Sequence, residues 1–143
     1  MRRRINKRQT QRAAQYYVAA ELARRGYHVS VPLETAKVSS LLVISPGNRY
    51  FTICVQAQSA KSFWPVPYRE PQDDLFVVLV YLAHRHTPPQ FYVLSSAELM
   101  QERQEYKLGL DPGNGEGDQE ERLGGIPWRR ALRHKSQWAK LPQ

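Results

Sequence analysis

The sequence predicts a mixed α/β sandwich, with one five-stranded sheet flanked by helices. Three observations carry that expectation. A helical period opens the chain, five strand-length apolar or alternating segments follow, and Pro, Gly, Asn and Asp punctuate the joints between them. The helix comes first. Ala14, Val18 and Leu22 recur at i, i+4 and i+8 with Tyr17 beside them, so Thr10 to Arg25 presents one apolar stripe. Gly26 follows the basic last turn Arg24–Arg25 as a natural helix stop. YHVSVP (27–32) alternates as a short strand that Pro32 ends. SLLVIS (40–45) and RYFTICVQAQ (49–58) are two further strands, joined across Pro46, Gly47 and Asn48. The unbroken apolar run LLVI predicts a central strand covered on both faces.

Residues 59–72 hold three prolines and read as a loop. DLFVVLVYLA (74–83) is the most apolar strand, and QFYVLS (90–95) pairs with it across the loop 84–89. Ser95 or Ser96 caps a helix from about Ala97, with Glu98 in its first turn. Residues 106–125, rich in Gly and Asp, form an acidic loop. Pro127 then starts a last basic helix, PWRRALRHKSQW. The domain plan is a basic flexible arm over 1–9 and a single domain over 10–143.

At 143 residues the chain suits one core, and 41% apolar composition suffices to fill it. The longest apolar run, LFVVLVYLA, is far short of the roughly 20 residues that a membrane helix needs. No apolar segment follows the basic start, so a secretory signal is not expected. The one cysteine allows no internal disulfide, and a reducing, cytoplasmic setting is expected.

Charge is strongly asymmetric. Eight of the 13 acids lie in residues 98–121 beside only Arg103 and Lys107, so the remainder holds 19 basic residues against 5 acids. That excess favours a polyanionic partner, nucleic acid above all, with DNA placed ahead of RNA. The arm carries Arg2, Arg3, Arg4, Lys7, Arg8 and Arg12. Two basic–aromatic pairings join it: Lys61 with Trp64, and Trp128 ahead of Arg129, Arg130, Arg133 and Lys135. The competing reading of Trp128 and Trp138 is that they close the edges of a small core.

Other chemistries find little support. His84 and His86 flank Arg85 in a loop and lack further ligands, so they read as solvated histidines, and no metal or cofactor is expected. Asp73 and Asp74 read as the solvated start of a strand. Cys54 sits in an apolar strand as a small buried thiol, and no serine stands in a nucleophile elbow. The glycines of GNGEG lie among acids and would repel phosphate.

AAQYYVAAELARRGYHV, followed by SSLLVISPGNRYFTICVQAQ, resembles the opening of the PD-(D/E)xK nuclease superfamily. FVVLVYL, QFYVLSSAEL and HKSQWAKL look like that family's later strands, helix and closing tryptophan, so the likeness spans about 10–141. It implies a restriction-endonuclease-like fold. Carried over residue by residue, the helix glutamate falls on Gln15, the strand aspartate on Ser40, the glutamate or glutamine on Cys54, and the lysine on Gln56. All four are replaced. Mg²⁺ requires hard, charged oxygen ligands; Gln15 and Ser40 offer neutral oxygens, Cys54 a soft thiol, and Gln56 no charge. Glu21 is more than 1.5 turns from Gln15, which leaves Glu34 as a substitute ligand.

The expectation is therefore a catalytically inactive nuclease-fold protein that binds nucleic acid or docks onto a nucleic-acid-processing complex. Two alternatives stand beside it. One is a protein-interaction module, such as an inactive subunit or accessory factor of a defence or mobile-element system. The other is a divergent metal-dependent nuclease using Glu34 or Asp73 and Asp74.

Overall fold

A computed structural model describes residues 6–33, 40–84, 86–109 and 124–143. The first element, α1 (Lys7–Arg24), starts three residues earlier than its apolar period suggests. Asn6 is the reason: its side chain accepts from the Gln9 backbone while the Gln9 side chain accepts from the Asn6 backbone. This capping box satisfies two orphan N–H groups and draws residues 7–9, expected in the arm, into the helix. The helix stops as predicted. Gly26 has φ +90°, its N–H reaches Ala23 O, and the Tyr27 N–H reaches Leu22 O, the paired bonds of a Schellman motif.

The strands are β1 (His28–Ser30), β2 (Ser40–Ile44), β3 (Tyr50–Gln58), β5 (Leu75–Tyr81) and β6 (Gln90–Ser95), with the two-residue β4 (Trp64–Pro65) in the 59–74 connection. The five longer strands form one mixed sheet in the order β1-β2-β3-β5-β6. β3 and β5 are parallel, and every other neighbouring pair in that sheet is antiparallel. The helix α2 (Ser96–Gly109) follows β6, so the first residues of the expected 106–125 loop are helical. Ser95 and Glu98 exchange bonds at its start. Of that loop, 110–123 lie outside the described residues, and β7 (Gly125–Ile126) pairs with β4.

Each sheet face builds its own core. On one, Ala14, Val18 and Leu22 of α1 pack on Leu41, Val43, Ile53, Val55, Val78 and Val80, with Trp138 and Leu141 closing the edge. On the other, Val77, Leu79, Tyr92 and Leu94 meet Leu99, Trp64, Val66, Ile126 and Ala131. β5 serves both cores, which explains its unbroken apolar sequence; each such side chain contributes about 1.5–3 kcal/mol by leaving water.

Two expectations change. Among the described residues β2 is covered on one face only: Leu41 and Val43 are buried while Leu42 is 59% exposed. A run such as LLVI supplies apolar side chains to both faces whether or not a layer exists to cover the second. The last segment is also not one helix. It breaks into α3 (Trp128–Ala131) and two 3-10 turns, Leu132–His134 and Trp138–Lys140. Between them Lys135 bridges Tyr92, Ser136 has φ +55°, and the Ser136 N–H donates to Phe91 O. These residues cover the outer edge of β6 with backbone bonds that a continuous helix would keep for itself. Among the described residues, no helix is long and apolar enough to cross a membrane.

Candidate functional site

The four positions of the resemblance do not converge on one open pocket. Ser40 and Cys54 are directly opposite across β2 and β3, with Oγ 3.4 Å from Sγ. Gln56 lies two residues on, hence on the same face, and its amide donates to Pro65 O at 3.0 Å. Gln15 belongs to the α1 layer on the opposite face, 5% exposed, and its carbonyl accepts from Arg12 Nη1 at 3.2 Å. Arg69 stands at the Ser40–Cys54 pair, with its Nη1 3.8 Å from Cys54 Sγ. The four side chains are neutral; Ser40 and Cys54 engage each other, while Gln56 is held by Pro65 O and Gln15 by Arg12. No set of three His, Cys, Asp or Glu able to hold a metal occurs among the described residues. Asp73 and Asp74 are exposed ahead of β5, and Glu34 lies outside the described residues.

A residue that sequence reasoning passed over closes the fork. Among the described residues, β2 accompanies β3 as far as Cys54. Beyond it, Gln11 of α1 takes the place of a neighbouring strand: its Nε2 donates to Val55 O at 2.6 Å and its Oε1 accepts from Ala57 N at 3.1 Å. A primary amide has the donor and acceptor to copy one peptide unit of a ladder. No local sequence signal marks it, because the partners are 44 and 46 residues away.

The cations are more informative. Tyr27 packs against Phe51 at one end of α1 while Gln11 reaches Ala57 at the other, so the start of α1 lies at the carboxyl end of β3. Lys61 follows that strand end, and Lys135 arrives there by bridging Tyr92 near the start of β6. Arg129 follows Trp128, which packs on Tyr81 at the end of β5. Lys7, Arg8, Lys61, Arg129 and Lys135 are all exposed at this end. Glu21, paired with Arg25, and Glu70, Asp73 and Asp74 lie towards the opposite end.

Other expected contacts are committed internally. Arg12 donates to Pro32 O and to Tyr16 Oη and covers the Tyr16 ring. Arg130 is held by Glu102 at 3.2 Å and Glu105 at 3.1 Å, and Arg133 lies 3.8 Å from Glu102 while remaining 63% exposed. Trp64 is fully buried and offers no face to a base. Arg2, Arg3 and Arg4 lie outside the described residues.

A half-buried polar cluster ties the C-terminal segment to α2. Lys140 Nζ donates to Val93 O at 3.1 Å, pairs with Glu98 at 3.0 Å and lies 2.8 Å from His134 Nδ1. His134 Nε2 faces Glu102 at 3.5 Å. Burial, aided by the Lys140 charge, holds His134 below its ordinary pKa against the opposing pull of Glu102 and Glu98. Burial also acts to raise the Glu98 pKa, but the Ser95 N–H and Lys140 outweigh it, and the net shift is downward. Comparison with protein-family models, curated proteins and solved structures returns no match for this chain.

Proposed function

We propose that this chain is a restriction-endonuclease-like domain of PD-(D/E)xK type that binds nucleic acid and does not cut it. The observation that carries the reading is the gathering of Lys7, Arg8, Lys61, Arg129 and Lys135, from three separate segments, at the carboxyl end of the parallel β3–β5 pair. Crevices at such strand ends are the usual binding places of open α/β sheets. Non-cleavage is supported by donor chemistry. Ser40, Cys54 and Gln56 supply no carboxylate and no lysine, and Gln15 approaches from the other face. The helix-first order and the β2–β3 hairpin with a parallel β5 support the fold-level likeness.

Five phosphate contacts give a log–log salt slope of roughly −3.5 on a single strand, or about 100-fold weaker binding at 200 mM than at 50 mM salt. A gel-shift titration at those two concentrations tests this; no binding at 50 mM salt sinks it. Oligonucleotide incubated with Mg²⁺ or Mn²⁺ is expected to stay intact, and cutting in proportion to protein would overturn the non-cleaving part.

A protein-docking role has one observation in its favour. The sheet face carrying Leu42 (59% exposed) and Tyr50 (71% exposed) is open among the described residues. Co-purification of a protein through that face, lost in Leu42→Lys, together with indifference to nucleic acid, would replace the binding reading.

A further inference from the structure

Trp128 and Tyr81 make an aromatic corner at the same strand ends, with centroids 5.0 Å apart and planes at 73°. The corner is rigidly backed. Trp128 stacks on the buried Trp64 at 6.1 Å and 15°, and its other neighbour, Tyr92, meets it edge-on at 5.4 Å. Trp128 and Tyr81 nonetheless keep part of their surface in solvent. The exposed Lys61 ammonium stands over both rings, 5.9 Å from each centroid. That distance is at the outer limit of a cation–π contact, so the lysine is weakly held and readily displaced.

We propose, granting the nucleic-acid reading above, that this corner stacks an unpaired base of a single-stranded segment. Lys61 leaves the rings for the adjoining phosphate as the base arrives, and the exposed Arg129 beside Trp128 meets a second phosphate. Three features select this ligand. An aromatic face accepts any base, the flanking cations match a polyanion, and a paired duplex keeps its base faces inside its own stack. The partner is thus a single strand, or a strand end, bound without strong sequence preference.

The test compares three ligands by fluorescence anisotropy at one low salt concentration: a twelve-nucleotide thymidine strand, an abasic strand of equal length, and a twelve-base-pair duplex. The thymidine strand is expected to bind about 5- to 150-fold tighter than the abasic strand, the range for loss of one stacked base, and tighter than the duplex. Lys61→Gln is expected to lower the salt slope by about 0.7 while the preference for the base-containing strand persists. Equal affinity for thymidine and abasic strands, or tighter binding of the duplex, overturns base stacking and leaves phosphate binding standing. No binding of any of the three removes the nucleic-acid reading itself.

Discussion

Gln11→Ala isolates the strand-mimicking amide at the β2–β3 fork. The side chain makes two bonds to β3, at 2.6 Å and 3.1 Å, and the variant strands Val55 C=O and Ala57 N–H together. A net hydrogen bond contributes about 1 kcal/mol, and an unsatisfied buried group costs about 1–3 kcal/mol. The site is half-buried, so water recovers part of this, and the sum is roughly 2 kcal/mol. For a domain of this size that lowers Tm by about 4–8 °C. Urea unfolding followed by circular dichroism measures it, with the exposed Gln104→Ala as a control expected within about 0.5 kcal/mol of the parent. Gln11→Glu sharpens the test. A carboxylate still accepts from Ala57 N–H but faces Val55 O with no proton to donate, so the variant is expected to be weakest near neutral pH. Its deficit relative to the parent should narrow below about pH 4, where the acid regains a donor. A Gln11→Ala protein as stable as the parent would show that the amide bridge contributes nothing and would refute the account of the fork.

Arg129→Ala and Lys135→Ala are each expected to reduce the salt slope of binding by about 0.7 with little loss of stability, read by titration at several salt concentrations. Arg130→Ala should do the reverse, destabilising the fold by about 2 kcal/mol in urea because it leaves the buried Glu102 short of its closest guanidinium. Gly125→Ala is expected to cost 3 kcal/mol or more, on the order of an overpacked core site, since a Cβ there meets Trp64 O and the Phe63 ring; an unchanged urea midpoint would contradict the β4–β7 packing. The pH dependence has two parts, both lost on acidification. His134, whose folded pKa is depressed below 6.5, contributes no penalty above that value and costs stability as pH falls from 6.5 towards the folded value. Glu98, also depressed, stabilises above its ordinary 4.5 and loses that contribution as pH falls through its folded value. The stability–pH curve of His134→Gln should be flatter below about pH 6.5, and that of Glu98→Gln flatter below pH 4.5; parental curves in both would refute the cluster's role.

Much of the fold was legible from local rules. The 3.6-residue stripe of Ala14, Val18 and Leu22, the stop at Gly26 and the bounds of QFYVLS depend on neighbours within one or two turns, and the structure keeps them. The cap at Asn6 was equally local, though weaker as a signal than the apolar period that overshadowed it. The charge asymmetry was legible too, because counting cations needs no coordinates. Chain order alone also carried the helix-first plan and the five strands of the mixed sheet.

What the chain could not announce was which sites meet. PWRRALRHKSQW has helical propensity, but its backbone found partners on the edge of β6, and a distant edge leaves no mark on a local period. LLVI reads as doubly buried, yet Leu42 is 59% exposed among the described residues. Trp64 looked like a partner for Lys61 because they are three residues apart; packing buried that ring and gave Lys61 to Trp128 and Tyr81 instead. Local sequence thus determined which elements form and how much positive charge they carry. Only tertiary structure decided that Gln11 completes β3, that Gln15 stands on the other face from Cys54, and that Lys7, Arg8, Lys61, Arg129 and Lys135 share one end of the sheet. The physical reason is that burial, pairing and facing are relations between residues tens of positions apart, whereas propensity and periodicity report on a few neighbours at a time.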